Sequence, residues 1–78
     1  MSWNNALPAE YLIGWKIYRA GIYDIDINKD QQRGFFICLD GISPGGNFDI
    51  IDNKIVMTKG IMVREVKDKL TELGYTYG

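Results

Sequence analysis

Apolar residues change their spacing along this chain near Thr58. Before Thr58 they mostly alternate with polar residues, as in the segment 23–27, which reads Tyr-Asp-Ile-Asp-Ile. After Thr58 they recur at steps of three and four, at Val63, Val66, Leu70 and Leu73. Alternation is typical of a strand with one buried face, and the second spacing is typical of one side of a helix. The pattern predicts an α+β fold, an antiparallel meander of four to five short strands packed on one C-terminal helix.

The first two strands are predicted to form a hairpin around the segment 19–21, which reads Arg-Ala-Gly. Gly21 can adopt the positive φ that a three-residue hairpin loop requires. In this register Tyr18 pairs with Ile22, and the apolar residues at odd positions of both strands face one another. The register therefore places the odd positions of both strands in the core.

A helix over residues 8–20 is the open alternative for the first strand. Leu12, Trp15 and Tyr18 also lie at helical steps. Gly14 interrupts that stripe, and Ile17 falls outside it, so we prefer the strand.

Turn-forming residues separate the later strands. The polar residues 28–32 precede a strand over residues 34–39. A second hairpin is expected to turn at Asp52-Asn53, because a two-residue loop there pairs Ile50 with Ile55 on the apolar face.

The helix is expected to begin at an N-cap residue, Thr58, and to end at Gly74 in the left-handed conformation. Its apolar stripe is expected to close a core together with one face of the sheet. The residues expected to be buried in this core are Trp15, Ile17, Tyr23, Ile25, Phe35, Ile37, Ile50, Ile55, Val66, Leu70 and Leu73.

The strand over residues 34–39 is apolar on both faces, which breaks the alternation. One helix can cover only one face of a sheet, so Phe36 and Cys38 must meet the N-terminal segment, a second copy or a partner. Closure of the sheet would also bury them, and an SH3-like small barrel with an appended helix is the alternative fold.

These considerations predict a binding patch on the face away from Trp15. An apolar centre with a charged border is typical of protein interfaces. The residues expected to bind are Tyr18, Ile22, Phe36 and Cys38, with Lys16 at the border. A register error of one residue would exchange every face assignment in a strand.

Composition restricts the class of function. The 78 residues are enough for a single domain, 1–78. Nine basic and ten acidic residues give a net charge of -1, so neither nucleic acid nor an anionic membrane is an expected partner. The chain has no histidine, which removes the most common general base and metal ligand. We therefore predict no enzyme activity, no cofactor and no metal site.

Two short motifs in the chain are only partial matches. Asp24, Asp26, Asn28 and Asp30 have the spacing of the first ligands in a calcium-binding EF-hand loop. The required glycine and glutamate are replaced by Lys29 and Phe35, so a solvated strand edge is the preferred interpretation. The segment 33–35, Arg-Gly-Phe, matches only the opening of an RNA-binding strand motif.

The sequence thus predicts a small non-enzymatic protein-binding module of the inhibitor, adaptor or small-subunit type, acting through an apolar sheet face. The expected partner is another protein, a second copy of the chain, or both. A single cysteine and the lack of an apolar leader or a membrane-spanning segment favour the cytoplasm. The alternative is a nucleic-acid-binding module that uses exposed aromatic and basic residues.

Overall fold

A computed structural model of the protein describes residues 14–77. This part of the chain forms a six-stranded sheet and one helix, and the strands lie side by side in chain order. The elements are β1 (Trp15–Ala20), β2 (Tyr23–Asn28), β3 (Arg33–Cys38), β4 (Gly46–Ile51), β5 (Lys54–Lys59), α1 (Arg64–Glu72) and β6 (Thr76–Tyr77).

The predicted fold class, an antiparallel meander with a C-terminal helix, is confirmed. Strands β1 to β5 pair antiparallel, and the short β6 adds to β5 in the parallel direction. The sheet curls into a half-barrel, which also agrees with the SH3-like alternative. A register irregularity between Asn47 and Phe48 lies in β4, and such bulges increase the local twist of a strand.

A close packing contact in the sheet depends on Gly34. A Cβ atom at this position would lie 2.6 Å from the carbonyl oxygen of Asp26 and 2.6 Å from the ring of Phe48. The missing side chain lets the Phe48 ring pack directly over β3. Phe48 is consequently 1% exposed.

The first hairpin differs from its predicted register. Its loop has two residues, Gly21 and Ile22, and Tyr18 pairs with Ile25 instead of Ile22. The expected positive φ at Gly21 is confirmed, at 62°. Glycine at the first position of a two-residue loop suits a type II′ turn, whose twist matches that of the flanking strands.

The error in this register has a large consequence. The observed pairing of Tyr18 is displaced by three residues, an odd number, so β1 presents its other face to the core. The strand interpretation itself is confirmed for residues 15–20. The choice between helix and strand also concerned residues 8–13, which lie outside the described residues. The N-terminal segment that was considered as a cover for Phe36 and Cys38 lies outside them as well.

The second hairpin agrees with the prediction. Ile50 pairs with Ile55 across a loop formed by Asp52 and Asn53. These two residues have φ values of 53° and 64°. A type I′ turn requires positive φ at both positions, and aspartate and asparagine tolerate that conformation well.

The core lies between the concave side of the sheet and α1. Its buried apolar residues are Ala20, Tyr23, Ile25, Ile27, Phe36, Cys38, Phe48, Ile50, Ile55, Val66, Leu70 and Tyr75. Six of the residues expected in the core are confirmed as buried: Tyr23, Ile25, Ile50, Ile55, Val66 and Leu70.

The other expected core residues need correction. Trp15, Phe35 and Leu73 are half-buried. Ile17 is 65% exposed and Ile37 is 48% exposed. Trp15, Ile17, Phe35 and Ile37 lie on the sheet face turned away from α1, because both β1 and β3 place their even-numbered positions inward.

The helix begins later than expected. Strand β5 continues through Thr58 to Lys59, and the N-cap residue is Val63, which makes no side-chain capping bond. The expected helix end is confirmed, since Gly74 has φ 102°. The backbone N–H groups of Gly74 and Tyr75 donate to the carbonyls of Thr71 and Leu70, which is the Schellman arrangement.

Candidate functional site

The predicted binding patch is not exposed as one surface. Phe36 and Cys38 are 1% and 7% exposed and belong to the core beneath α1. Tyr18 is half-buried against that core, whereas Lys16 and Ile22 are exposed. The prediction of an apolar surface patch at these residues is therefore wrong, because the helix covers the face assumed to be open. A binding role for the accessible members stays a prediction.

The open surface of the sheet is its other side, which we call the outer face. The side chains that alternate with the core residues point to it. These are Trp15, Ile17 and Arg19 in β1, Asp24 and Asp26 in β2, Arg33, Phe35 and Ile37 in β3, Asn47, Asp49 and Ile51 in β4, and Lys54 and Val56 in β5.

Aliphatic side chains on the outer face are unusually exposed. Ile17 and Ile51 have exposures of 65% and 55%, and Ile37 and Val56 have exposures of 48% and 38%. Single exposed aliphatic residues are common on protein surfaces, but several on one face of a sheet make that face a candidate interaction surface.

An aromatic pair occupies one end of the outer face. The ring centroids of Trp15 and Phe35 lie 5.5 Å apart, with their planes inclined at 58°. The two residues belong to β1 and β3, which flank β2, so the rings meet over β2. At this level β2 presents Asp26, which pairs with Phe35, and Asn28, which pairs with Trp15.

Asp26 is held in apolar surroundings. Its cross-strand neighbours are Ile17 on one side and Phe35 on the other. Its Oδ1 atom is inaccessible to solvent and has no hydrogen-bond partner among the described residues. Burial raises the pKa of the Asp26 carboxyl, and the nearby charge of Asp24 raises it further. An uncompensated carboxylate of this kind lowers the stability of the folded state.

Asp24, by contrast, has a partner on the outer face. The Nε atom of Arg19 donates to its Oδ1 atom over 2.6 Å. The two residues lie directly opposite one another in β1 and β2. Asp24 therefore has a counter-charge in Arg19, whereas no ion pair within residues 14–77 involves Asp26.

A shallow groove of about 280 Å³ lies beside the aromatic pair. Arg33 and Asp49 line it and face one another in the register of β3 and β4. Of the ion pairs formed within residues 14–77, none involves either of them. Their charges are therefore free to interact with a bound group.

The aspartate run does not form a loop. Asp24 and Asp26 lie in β2, and the Oδ1 atom of Asn28 accepts a hydrogen bond from the backbone N–H of Gln31 over 2.9 Å. No group of three or more potential metal ligands occurs in the described part of the chain. Cys38 is a free, buried thiol.

Sequence reasoning missed the outer-face residues Trp15, Ile17, Phe35 and Ile37 as surface residues. The signal that one face would stay open was correct, since β3 is apolar on both sides. A second signal identifies which face is open: a two-residue turn starting at Gly21 places Arg19 opposite Asp24, as observed.

No protein-family model, curated protein or solved structure matches this chain. The candidate site is therefore identified from the geometry of the surface. Within residues 14–77, no helix is long and apolar enough to cross a membrane. The outer face is the candidate site, because it combines exposed aliphatic side chains, an aromatic pair and an uncompensated carboxylate.

Proposed function

We propose that this protein is a small non-enzymatic protein-binding module of the inhibitor, adaptor or small-subunit type, and that it binds its partner with the outer face. The observation that carries the proposal is the exposure of Ile17, Ile37, Ile51 and Val56 on one side of the sheet. Burying such side chains contributes roughly 25 cal/mol for each Å² of apolar surface removed from water. The partner is another protein or a second copy of the chain.

The charges of the outer face support a protein partner. Arg19 and Asp24 form an ion pair, and Arg33 faces Asp49 across the sheet. Both signs of charge are interspersed around apolar residues, which is the usual composition of a protein interface. A buried free thiol at Cys38 supports a reducing compartment, and we place the protein in the cytoplasm.

The aromatic pair is the observation that favours the alternative, a nucleic-acid-binding module. Trp15 and Phe35 could stack on unpaired bases, with Arg19 and Arg33 near the phosphates. However, Arg19 is already paired with Asp24, and the carboxylate of Asp26 beneath the rings repels phosphate. We therefore rank this function second.

Affinity capture with two matched variants tests the proposal. Ile37→Lys places a charge in the outer face, where Ile37 lies opposite Asp24. Ile61→Lys makes the same change at a residue that is 83% exposed and lies between β5 and α1. We expect the wild type and Ile61→Lys to capture the same protein, and Ile37→Lys to lose it. Calorimetry with the purified partner then measures the affinity.

Size-exclusion chromatography of the same three proteins tests the second-copy form of the proposal. A dimer that Ile37→Lys dissociates and Ile61→Lys retains would support it. Equal capture by both variants, with equal elution, would contradict binding through the outer face. The alternative function would be favoured if a single-stranded RNA column retained the wild type and this retention fell steeply as the salt concentration rose.

A further inference from the structure

Asp26 is a charged group of the outer face that is flanked directly by apolar residues and forms no ion pair among the described residues. The residues directly across from it, Ile17 and Phe35, are apolar. The nearest guanidinium on β1, that of Arg19, is held by Asp24 at 2.6 Å. No ion pair among the described residues therefore involves Asp26, although Arg33, two positions from Phe35 on β3, lies on the same face and also forms none.

The groups around Asp26 match the chemistry of a basic side chain. A carboxylate accepts short, charge-assisted hydrogen bonds from arginine or lysine. The faces of Trp15 and Phe35 attract the same cations, and the methylene groups of a long basic side chain pack on apolar neighbours such as Ile17. The backbone N–H groups of any segment can donate to the Oδ1 atom of Asp26, but only a basic side chain also supplies a positive charge.

We propose that the partner inserts an arginine or lysine side chain, flanked by apolar residues, which pairs with Asp26 between Ile17 and the Trp15–Phe35 pair. This inference rests on the proposed function, since it describes the partner of the same outer face. Asp26 as a whole is only partly buried, and side-chain rotamer changes at interfaces are common, so the carboxylate is within reach of a bound segment.

A selection from a displayed library of random 12-residue peptides tests the inference and does not require the natural partner to be identified. Peptides are first selected by binding to the immobilised wild-type protein. Those that also bind the Ile37→Lys variant are then discarded, because they bind outside the outer face. Ile61→Lys serves as the control that should retain every selected peptide. We expect the outer-face peptides to be enriched in an arginine or lysine next to apolar residues.

A double-mutant cycle with one selected peptide then assigns the contact. Replacing its basic residue by glutamine should weaken binding to the wild type about tenfold or more, as loss of a charge pair at an interface does. The variant Asp26→Asn should bind the original peptide as weakly as the wild type binds the glutamine peptide. The glutamine substitution should then cause no further loss in Asp26→Asn.

The two proposals fail in different ways. If the outer-face peptides contain no basic residue, Asp26 does not have the proposed role. The same conclusion follows if replacing the basic residue weakens binding to Asp26→Asn as much as binding to the wild type. In both cases the outer face is still a binding surface. If no selected peptide distinguishes Ile37→Lys from Ile61→Lys, the outer face is not a peptide-binding surface, and both proposals are contradicted.

Discussion

At the scale of single residues, Asp26 opposes the stability of the fold that contains it. Its carboxylate lies between Ile17 and Phe35, and its Oδ1 atom has no donor within residues 14–77. A group that lowers stability yet lies on an exposed apolar surface is typical of a binding site, because the partner can supply what the free protein lacks.

We predict that Asp26→Asn raises the stability of the isolated protein at neutral pH. The raised pKa means that the folded state holds the proton more tightly than the unfolded chain does. Wild-type stability must therefore fall as the pH rises from the ordinary aspartate pKa of 3.8 through the higher folded pKa. The charged groups near this carboxylate on the outer face are Asp24 on its own strand, the paired Arg19 on β1 and Arg33 on β3.

Urea unfolding of the wild type and Asp26→Asn across a range of pH measures this effect. The difference between them should be largest at neutral pH and should disappear below pH 3.8, where both the folded and unfolded carboxyls are protonated. Asp24→Asn is the matched control. It removes an ion pair whose arginine and aspartate side chains are 63% and 24% exposed, and it should change stability by no more than about 1 kcal/mol. Destabilisation by Asp26→Asn at neutral pH would refute the assignment.

Asp40 shows the opposite electrostatic behaviour. Its Oδ1 atom accepts hydrogen bonds from the backbone N–H groups of Ser43, at 2.9 Å, and Ile42, at 2.8 Å. These bonds hold the pKa of Asp40 well below its ordinary value of 3.8. The stability that they contribute is present above pH 3.8 and is lost as the pH falls through the lower folded pKa.

We expect Asp40→Ala to lower the melting temperature at neutral pH, because the loop after β3 loses its side-chain acceptor. Asp68→Ala, at an exposed position in α1, should leave the melting temperature nearly unchanged or raise it slightly. An NMR titration of the carboxyl groups should show Asp40 still ionised when most other aspartates are protonated. Titration of Asp40 at an ordinary pKa would contradict the observed bonding.

At the scale of secondary-structure elements, local sequence was sufficient where the turn residues determine the register. The Asp52-Asn53 turn fixes the pairing of Ile50 with Ile55, and the alternation of apolar and polar residues along β4 and β5 then determines which side chains face the core. Gly74 similarly identifies the helix end. The start of α1 could not be found in this way, because Val63 provides no side-chain cap and β5 continues past Thr58.

The first hairpin shows how a small local choice decides a whole surface. A three-residue and a two-residue loop are both compatible with Gly21, yet they place opposite faces of β1 in the core. The contact of Trp15 with Phe35 depends on three aligned strands, so no pattern within one strand could predict it. The predicted patch was consequently placed on the face that α1 covers, where Phe36 and Cys38 are buried, whereas the exposed apolar residues lie on the other face.

The packing of α1 on the sheet provides a prediction at this scale. Leu70 is 1% exposed and lies in the core with Val66. Leu70→Ala should reduce the free energy of unfolding by about 2–5 kcal/mol, the usual range for a buried leucine. Lys67→Ala, on the exposed side of the same helix, should change it by less than about 0.5 kcal/mol. Equal urea midpoints for the two variants would contradict the packing of the helix on the sheet.

At the scale of the whole molecule, α1 covers one side of the curled sheet, and no element within residues 14–77 covers the other side. The covered side contains Phe36, Cys38 and Phe48, and the open side presents Ile17, Ile37 and the aromatic pair. Both proposals depend on this division, because the outer face can bind a partner only if it is not part of the core.

Thermal unfolding of Phe36→Lys and Ile37→Lys, followed by circular dichroism, tests this division most directly. The two variants introduce the same charged residue at adjacent positions of β3. Ile37→Lys should remain folded, with a melting temperature close to that of the wild type, because the new ammonium group lies in solvent opposite Asp24. Phe36→Lys should not fold, because it places a charge in the core. A folded Phe36→Lys together with an unfolded Ile37→Lys would show that the faces are reversed and would contradict both proposals.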